Sequence, residues 1–373
     1  MAGQIINRGK NKWLARVYMG LDANGKRKYH NKTIHGTKKE AQAYLNKVLR
    51  EKDTGEFCEP SKEPLGKYLD RWLETAVRSR VRDKTYRSYK QLVELYIKPS
   101  LGDTKLNQLT PMAVQDMYNF MVARGLASRT VRYTHTVLKN ALEQAVKWQM
   151  LRQNPVQYVD LPRQQKQEMK ALSPQEVKRF LEAAIYTRWQ VLFEVMVTTG
   201  IRPGEAFGLK WQDIDFETGR LHVQRTLTRG KDGKWKLEEP KTPRSRRSIP
   251  LPKSVLRSLQ EHKKEQAKEK LAAKYYNDHG FVFATSTGEP LENRNIVNQY
   301  FKPLLRQAGL PETIRLYDLR HTCATLLLAA GENPKVVSER LGHASVTLTL
   351  DTYSHVLPDM QEQATNKLER MLF

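Results

Sequence analysis

Three short segments in the C-terminal half carry the side chains whose types and spacing could do chemistry. The first, Thr198-Thr199-Gly200-Ile201-Arg202-Pro203-Gly204-Glu205-Ala206, sets Arg202 between a helix-closing glycine and a helix-opening proline. Glu205 follows one turn later and can brace the guanidinium. The second, Tyr317-Asp318-Leu319-Arg320-His321-Thr322, spaces Tyr317, Arg320 and His321 so that they share one helical face. The third, Leu341-Gly342-His343-Ala344-Ser345, is followed ten residues after His343 by Tyr353. Alone, an Arg and a Glu three apart make an ordinary surface pair. Together the segments supply what an oxygen-rich anion needs. Guanidinium forks match paired phosphate oxygens, imidazole adds a hydrogen bond, and a phenol can act as nucleophile.

The whole chain agrees with an anionic partner. Its 373 residues hold 64 Lys and Arg against 40 Asp and Glu, a formal charge of +24, which points to a polyanion. No window approaches the ~18 to 20 uninterrupted apolar residues of a membrane span, and the N-terminus lacks the apolar stretch of a signal peptide. Cys58 and Cys323 belong to no paired spacing, which argues against a disulfide framework or a Cys-ligated zinc and suits a reducing cytoplasm. No P-loop or metal-ligand spacing occurs, so neither a metal nor any other cofactor is expected.

These segments must be positioned by something, and the length allows two or three domains. Residues 1–62 hold fourteen Lys and Arg against six Asp and Glu. Trp13, Ala15, Val17 and Met19 alternate with Leu14, Arg16 and Tyr18, and a second extended run covers Lys26 to Ile34. Thr37 and Glu40 have capping-box spacing ahead of a helical pattern at Ala41, Tyr44, Leu45, Val48 and Leu49. This reads as a small sheet on one helix, able to enter a DNA major groove with Arg16, Lys26, Arg27 and Lys28 near phosphates.

Residues 63–162 read as four helices. The second runs from Tyr86 to Ile97 and is stopped by Pro99; the last starts near Ser128 and ends before Asn154-Pro155. Lys84, Arg87, Lys90, Arg129, Arg132, Lys139 and Lys147 lie on their basic faces as candidate DNA contacts. A polar linker leads to a third domain, 169–373. It has helices near 173–185 and 188–199, and strands over 213–228 and 235–251 with the hairpin tip at Gly230-Lys231-Asp232-Gly233. Further helices are expected near 252–275, 292–309, 317–330, 333–341 and 358–371. The fold class is thus multidomain, mainly α with small β-sheets. Asp318 and Asp351 read as helix caps.

Arg202, the Arg320-His321 run, the Leu-Gly-His segment and Tyr353, in this order and separation, resemble the catalytic signature of the tyrosine recombinases, the phage integrase family. The resemblance spans the chain and is most specific in the last domain. It implies an arm-site-binding domain at 1–62, a helical SAM-like core-binding domain at 63–162, and a mixed α/β catalytic domain at 169–373 ending in a docking helix. The implied protein is an integrase of a conjugative transposon or temperate phage, integrating and excising a mobile element through a 3′-phosphotyrosine intermediate and a Holliday junction. Its partners would be double-stranded core and arm attachment sites, a homotetramer, an excisionase and a DNA-bending protein. It would act on the nucleoid in a bacterial cytoplasm.

Attack on a phosphodiester creates a doubly anionic phosphorane, so fixed cations around the phosphate suit the chemistry. The resemblance makes Tyr353 the nucleophile, with Arg202, Arg320 and His343 on the non-bridging oxygens. The leaving 5′-hydroxyl needs a proton, for which the family uses a lysine on a strand hairpin. Lys241 fits that pattern best, with Lys231, Lys234 and Lys236 behind it. One residue departs from the pattern: Tyr317 stands where the family has a histidine read as the base. Tyrosine is a poor base near neutral pH, since its ordinary pKa is ~10, so Tyr317 is expected to orient. His321 could compensate, its more ordinary role being to buttress the helix through backbone bonds. Three rivals stand beside this reading: a metal-dependent nuclease or transposase, for which the acidic residues are too scattered; a DNA-binding architectural or regulatory protein with impaired catalysis; and a type IB topoisomerase.

Overall fold

The computed structural model describes residues 3–21, 25–55, 57–58, 61–164, 169–230, 233–239, 246–353 and 360–373, with the side chains of 360–364 left aside. The chain divides into two compact units, Met1–Gln165 and Lys166–Phe373.

In the first unit, strands β1 (Gly3–Gly9), β2 (Lys12–Leu21) and β3 (Arg27–His35) form an antiparallel sheet in that order. Asn11 closes the β1–β2 turn at φ +60, a left-handed conformation that Asn tolerates better than most residues. Helix α1 (Lys38–Asp53) starts where the capping box was expected. Thr37 Oγ1 accepts the Glu40 N–H, and the Glu40 carboxylate accepts the Thr37 N–H at 2.7 Å. Alternation along β2 buries Ala15 and Val17 toward Ala41, Leu45 and Val48, the core of this small layer.

The same unit holds a four-rod bundle with a separate, larger core. Rod one is α2 (Leu65–Trp72) with a π turn at Leu73–Val77; rod two is α3 (Asp83–Leu92), a π turn at Val93–Ile97 and α4 (Lys98–Leu101). Rods three and four are α5 (Pro111–Ala123) and α6 (Ser128–Lys147). Tyr68, Trp72, Val93, Ile97, Tyr118, Leu138 and Leu142 fill the centre. Pro99 does not stop rod two. The Lys98 N–H bonds Val93 O five residues back, and this wider turn restarts the helix with Pro99 in its first turn, where a missing N–H is tolerated.

The second unit begins with α7 (Pro174–Ala184), α8 (Gln190–Thr199) and the single turn α9 (Pro203–Phe207). Strands β4 (Ile214–Asp215), β5 (Arg220–Val223) and β8 (Arg247–Pro250) make one antiparallel sheet; β6 (Thr226–Arg229) and β7 (Trp235–Glu238) pair as a hairpin. Helix α10 (Lys253–Ala272) follows. Helices α11 (Asn293–Ile296) and α12 (Lys302–Gln307) are joined by a π turn at Val297–Phe301, again just ahead of a proline, Pro303. The chain ends with α13 (Asp318–Ala329), α14 (Pro334–Leu341), α15 (Val346–Tyr353) and α16 (Met360–Leu372).

Helix α8 is apolar on nearly all sides and is buried at the centre, with Phe193 edge-on to Phe180 at 5.3 Å and tilted against Phe301 at 5.8 Å. A smaller cluster of Ala324, Leu328, Val337 and Leu341 encloses the Tyr353 ring. On α16, Leu368, Met371 and Leu372 are exposed, as is Phe373 after it.

Candidate active site

The first arginine owes its position to two glycines and a carboxylate. Gly200 ends α8 at φ +66, and a Cβ there would lie 2.6 Å from Leu341 Cδ2. The left-handed residue turns the chain so that Arg202 caps α9. Glu205, 3% exposed, accepts the Arg202 backbone N–H at 2.9 Å and its Nη1 at 2.8 Å. The same carboxylate takes Arg247 Nη2 at 2.9 Å from the start of β8. Burial alone would favour the neutral acid, but Arg247 and Arg202 outweigh it and hold the carboxyl below its ordinary range. Arg247 Nε donates to Arg340 O at 2.6 Å, tying β8 to the end of α14. A Cβ on Gly342, at φ +66, would meet the Arg247 guanidinium at 3.0 Å, so glycine is required on both counts.

Arg320 lies in α13 with 1% of its surface exposed. Its Nη1 donates to Gly200 O at 2.7 Å, while its buried Nη2 has no hydrogen-bond partner among the described residues. Burial, and after it the neighbouring Arg202, push its pKa down to about 10, which leaves it charged at neutral pH. A buried cation beside another cation is costly, and an anion on the unfilled nitrogen would relieve it.

His343 lies just past the α14 terminus, its Nδ1 2.7 Å from Thr349 Oγ1 on α15. Burial and then Arg320, Arg202, His321 and Arg247 push its pKa down to about 4, so it is neutral at pH 7. One turn further along α15, on the same face as Thr349, Tyr353 is 1% exposed with its hydroxyl 2.6 Å from His321 Nδ1. Burial pushes that phenol well above its ordinary pKa. Tyr317 sets its ring edge-on to His321, centroids 5.3 Å apart, and lies beside the Arg202 guanidinium.

Arg202, Glu205, Tyr317, Arg320, His321, His343 and Tyr353 are therefore brought together, although they come from four places in the sequence. Lys241 and Lys231 lie outside the described residues; Lys234 flanks β7 and Lys236 is exposed on it. Two readings need correction. His321 bonds the Tyr353 hydroxyl instead of backbone. Neither aspartate stands at a helix cap: Asp351 lies inside α15, and Asp318, buried in the first turn of α13 behind the cap residue Tyr317, accepts the Arg315 N–H at 2.8 Å. Arg247 and Thr349 join the site beyond the residues expected from the sequence. The signals were there: Thr349 is four residues before Tyr353, and Arg247 stands in the basic run after Lys241.

In the first unit, Lys26, Arg27, Lys28, Lys84, Arg87, Lys90, Arg129 and Lys147 are exposed. Arg16 stacks 3.9 Å over the Tyr29 ring on the sheet face opposite α1. Arg132 is partly committed elsewhere, its Nε donating to Pro162 O at 2.8 Å, and Lys139 sits 4.0 Å from Glu143.

Residues 170–360 match the model of the phage integrase family, and residues 65–122 match that of the phage integrase N-terminal SAM-like domain. The chain belongs to the phage integrase family. A XerC-like tyrosine recombinase from Caldanaerobacter subterraneus subsp. tengcongensis is 34% identical, over 98% of this chain and 97% of its own. The ICEBs1 integrase of Bacillus subtilis is 28% identical over 77% of this chain and 78% of its own. Among solved structures, the Tn1549 transposon integrase on circular-intermediate DNA superposes with a TM-score of 0.71 over 82% of this chain and 99% of that one, at 24% identity. A lambda integrase tetramer on a Holliday junction gives 0.61 over 93% and 94%, at 20% identity. This member of the family is mainly helical with small antiparallel sheets, and it is an enzyme that cuts and rejoins DNA strands. Among the described residues, no helix is long and apolar enough to cross a membrane, and no group of three or more His, Cys, Asp or Glu could hold a metal ion.

Proposed function

We propose that this tyrosine recombinase integrates and excises a mobile element, with Tyr353 as the nucleophile of a 3′-phosphotyrosine intermediate. The observation that carries the reading is the buried Arg320 guanidinium with an unpartnered Nη2, set in one cluster with Arg202, His343 and Tyr353. That cluster is a preformed receptor for a phosphate bearing two negative charges in the transition state. Arg202 and Arg320 hold the non-bridging oxygens, His343 donates from its other ring nitrogen, and Tyr317 orients Arg202. Lys241 protonates the leaving 5′-oxygen. The phosphotyrosyl ester conserves the bond energy, so rejoining needs no nucleotide.

In this reading residues 1–62 bind arm sites, 63–162 bind the core site, 169–373 carry the catalysis, and four copies assemble on paired DNA. The Tn1549 and lambda integrases, seen on a circular intermediate and on a Holliday junction, support the assembly. An excisionase and a DNA-bending protein complete it, on the nucleoid in a bacterial cytoplasm. The test is to sequence the junctions of the circle excised when the protein is expressed with the DNA flanking its own gene. Junctions conserved to the base are expected, and cleavage of a core site by the purified protein should proceed at a near-normal rate in excess EDTA. Lost or duplicated bases, or a requirement for Mg²⁺, would favour the nuclease reading.

A further inference from the structure

Cleavage requires a base for the Tyr353 proton, and the residue expected there, Tyr317, is unsuited to it. We propose that His321 takes that proton, so that the base of this site is the histidine following the buried arginine. The inference deepens the functional reading above and rests on it. Its ground is contact: the Tyr353 hydroxyl and His321 Nδ1 are 2.6 Å apart, within the reach a general base needs. The pairing is fixed from both sides. Tyr353 is anchored by the α13–α14 cluster around its ring, and His321 is held within α13 under the Tyr317 ring. Thr349 engages His343 on the same face of α15, so one helix face delivers the nucleophile to its base and a histidine to the phosphate.

In the step itself Tyr353 Oη attacks phosphorus as its proton passes to His321 Nδ1, and the bond from phosphorus to the 5′-oxygen breaks. That oxygen takes a proton from the general acid, here Lys241. In rejoining, the protonated His321 returns its proton to the departing phenol. The forward step needs a neutral imidazole. Burial opposes the charged ring; Asp318 favours it, while Arg320 and Arg315 disfavour it, and His343, Tyr317 and Tyr353 complete its ionisable neighbours. The net direction is down, so His321 is free to accept at pH 7.

The variant His321→Asn keeps an acceptor near the place of Nδ1 but cannot take a proton. Single-turnover adduct formation on a nicked suicide core site would be followed from pH 6 to 9. The wild type is expected to be nearly flat above pH 7. The Asn variant should be about 100-fold slower or more at pH 7. Its rate should then climb with pH as hydroxide replaces the base. Core-site binding of the variant confirms its fold, and imidazole added to His321→Ala should restore part of the rate. Equal rates for wild type and Asn variant would overturn the inference, as would a loss independent of pH and without imidazole rescue. Faster cleavage by His321→Ala would make the contact a latch instead. Failure of the wild type to form any adduct would sink the functional reading itself, a distinguishable result.

Discussion

A carboxyl as buried as Glu205 would ordinarily titrate upward, and only the guanidinium groups of Arg247 and Arg202 keep it ionised. Glu205→Gln keeps the shape but leaves Arg247 buried without its counter-charge, which costs on the order of 3 kcal/mol. For a unit of this size that lowers Tm by roughly 6 to 12 °C. Calorimetry should show such a fall, and cleavage should drop at least tenfold with Arg202 unbraced. An unchanged Tm would mean the pair is not load-sharing. His343 gives a pH signature. Its folded pKa, about 4, is below its ordinary value, so the folded state binds fewer protons than the unfolded one between the two. Stability is then complete above the ordinary histidine pKa and is lost as pH falls toward 4. Denaturant unfolding at pH 7 and 4.5 should show this slope, smaller in His343→Gln. An equal slope in both would place the proton uptake elsewhere.

At the scale of elements, the β6–β7 hairpin falls where the sequence places it, on either side of the 230–233 tip, whereas α15 does not show in the sequence. The capping box at Thr37-Glu40 was legible because both of its reciprocal bonds are local. The arginines, His343 and Tyr353 were legible through their order and spacing. Helix α15 was not, because Val346-Thr347-Leu348-Thr349-Leu350 is rich in β-branched residues and reads as extended. Tertiary contacts decide it: Thr349 to His343, Tyr353 to His321, and Ser345 Oγ accepting the Leu348 N–H at 3.4 Å. The run through Pro99 was hidden for a similar reason, since no local sequence rule announces a π turn. Thr349→Val should therefore leave the fold intact while slowing cleavage about tenfold, because His343 loses the partner that fixes its tautomer. A stable variant with full activity would show the imidazole needs no such partner. Lys241→Ala should cripple cleavage of ordinary DNA but not of a 5′-bridging phosphorothiolate, whose sulfur leaves unprotonated. Equal loss on both would move the acid role to Lys236.

At the scale of the molecule, charge and exposed apolar surface set the expectations. Deleting residues 1–62 removes a net +8 and should leave a protein that cuts a short core site but fails on long attachment sites. Its binding to long DNA should also depend less steeply on salt than that of the full chain, because fewer counterions are released. Unchanged integration would make the module dispensable. Leu368, Met371, Leu372 and Phe373 are exposed at the C-terminus, an apolar end that suits a neighbouring copy better than water. Truncation after Pro358 should weaken tetramer assembly while single-site binding and monomer Tm persist. A lower monomer Tm with normal assembly would return that helix to its own unit.

Everything in the mechanism depends on the Tyr353 hydroxyl becoming covalently joined to DNA, which a nicked suicide core site can trap. Wild-type protein is expected to give a protein–DNA adduct that survives denaturation, mapping to the peptide containing Tyr353. Tyr353→Phe, lacking only the hydroxyl, should bind the same site with nearly unchanged affinity and give none. An adduct formed by the Phe variant, or one mapping to another residue, would contradict the account.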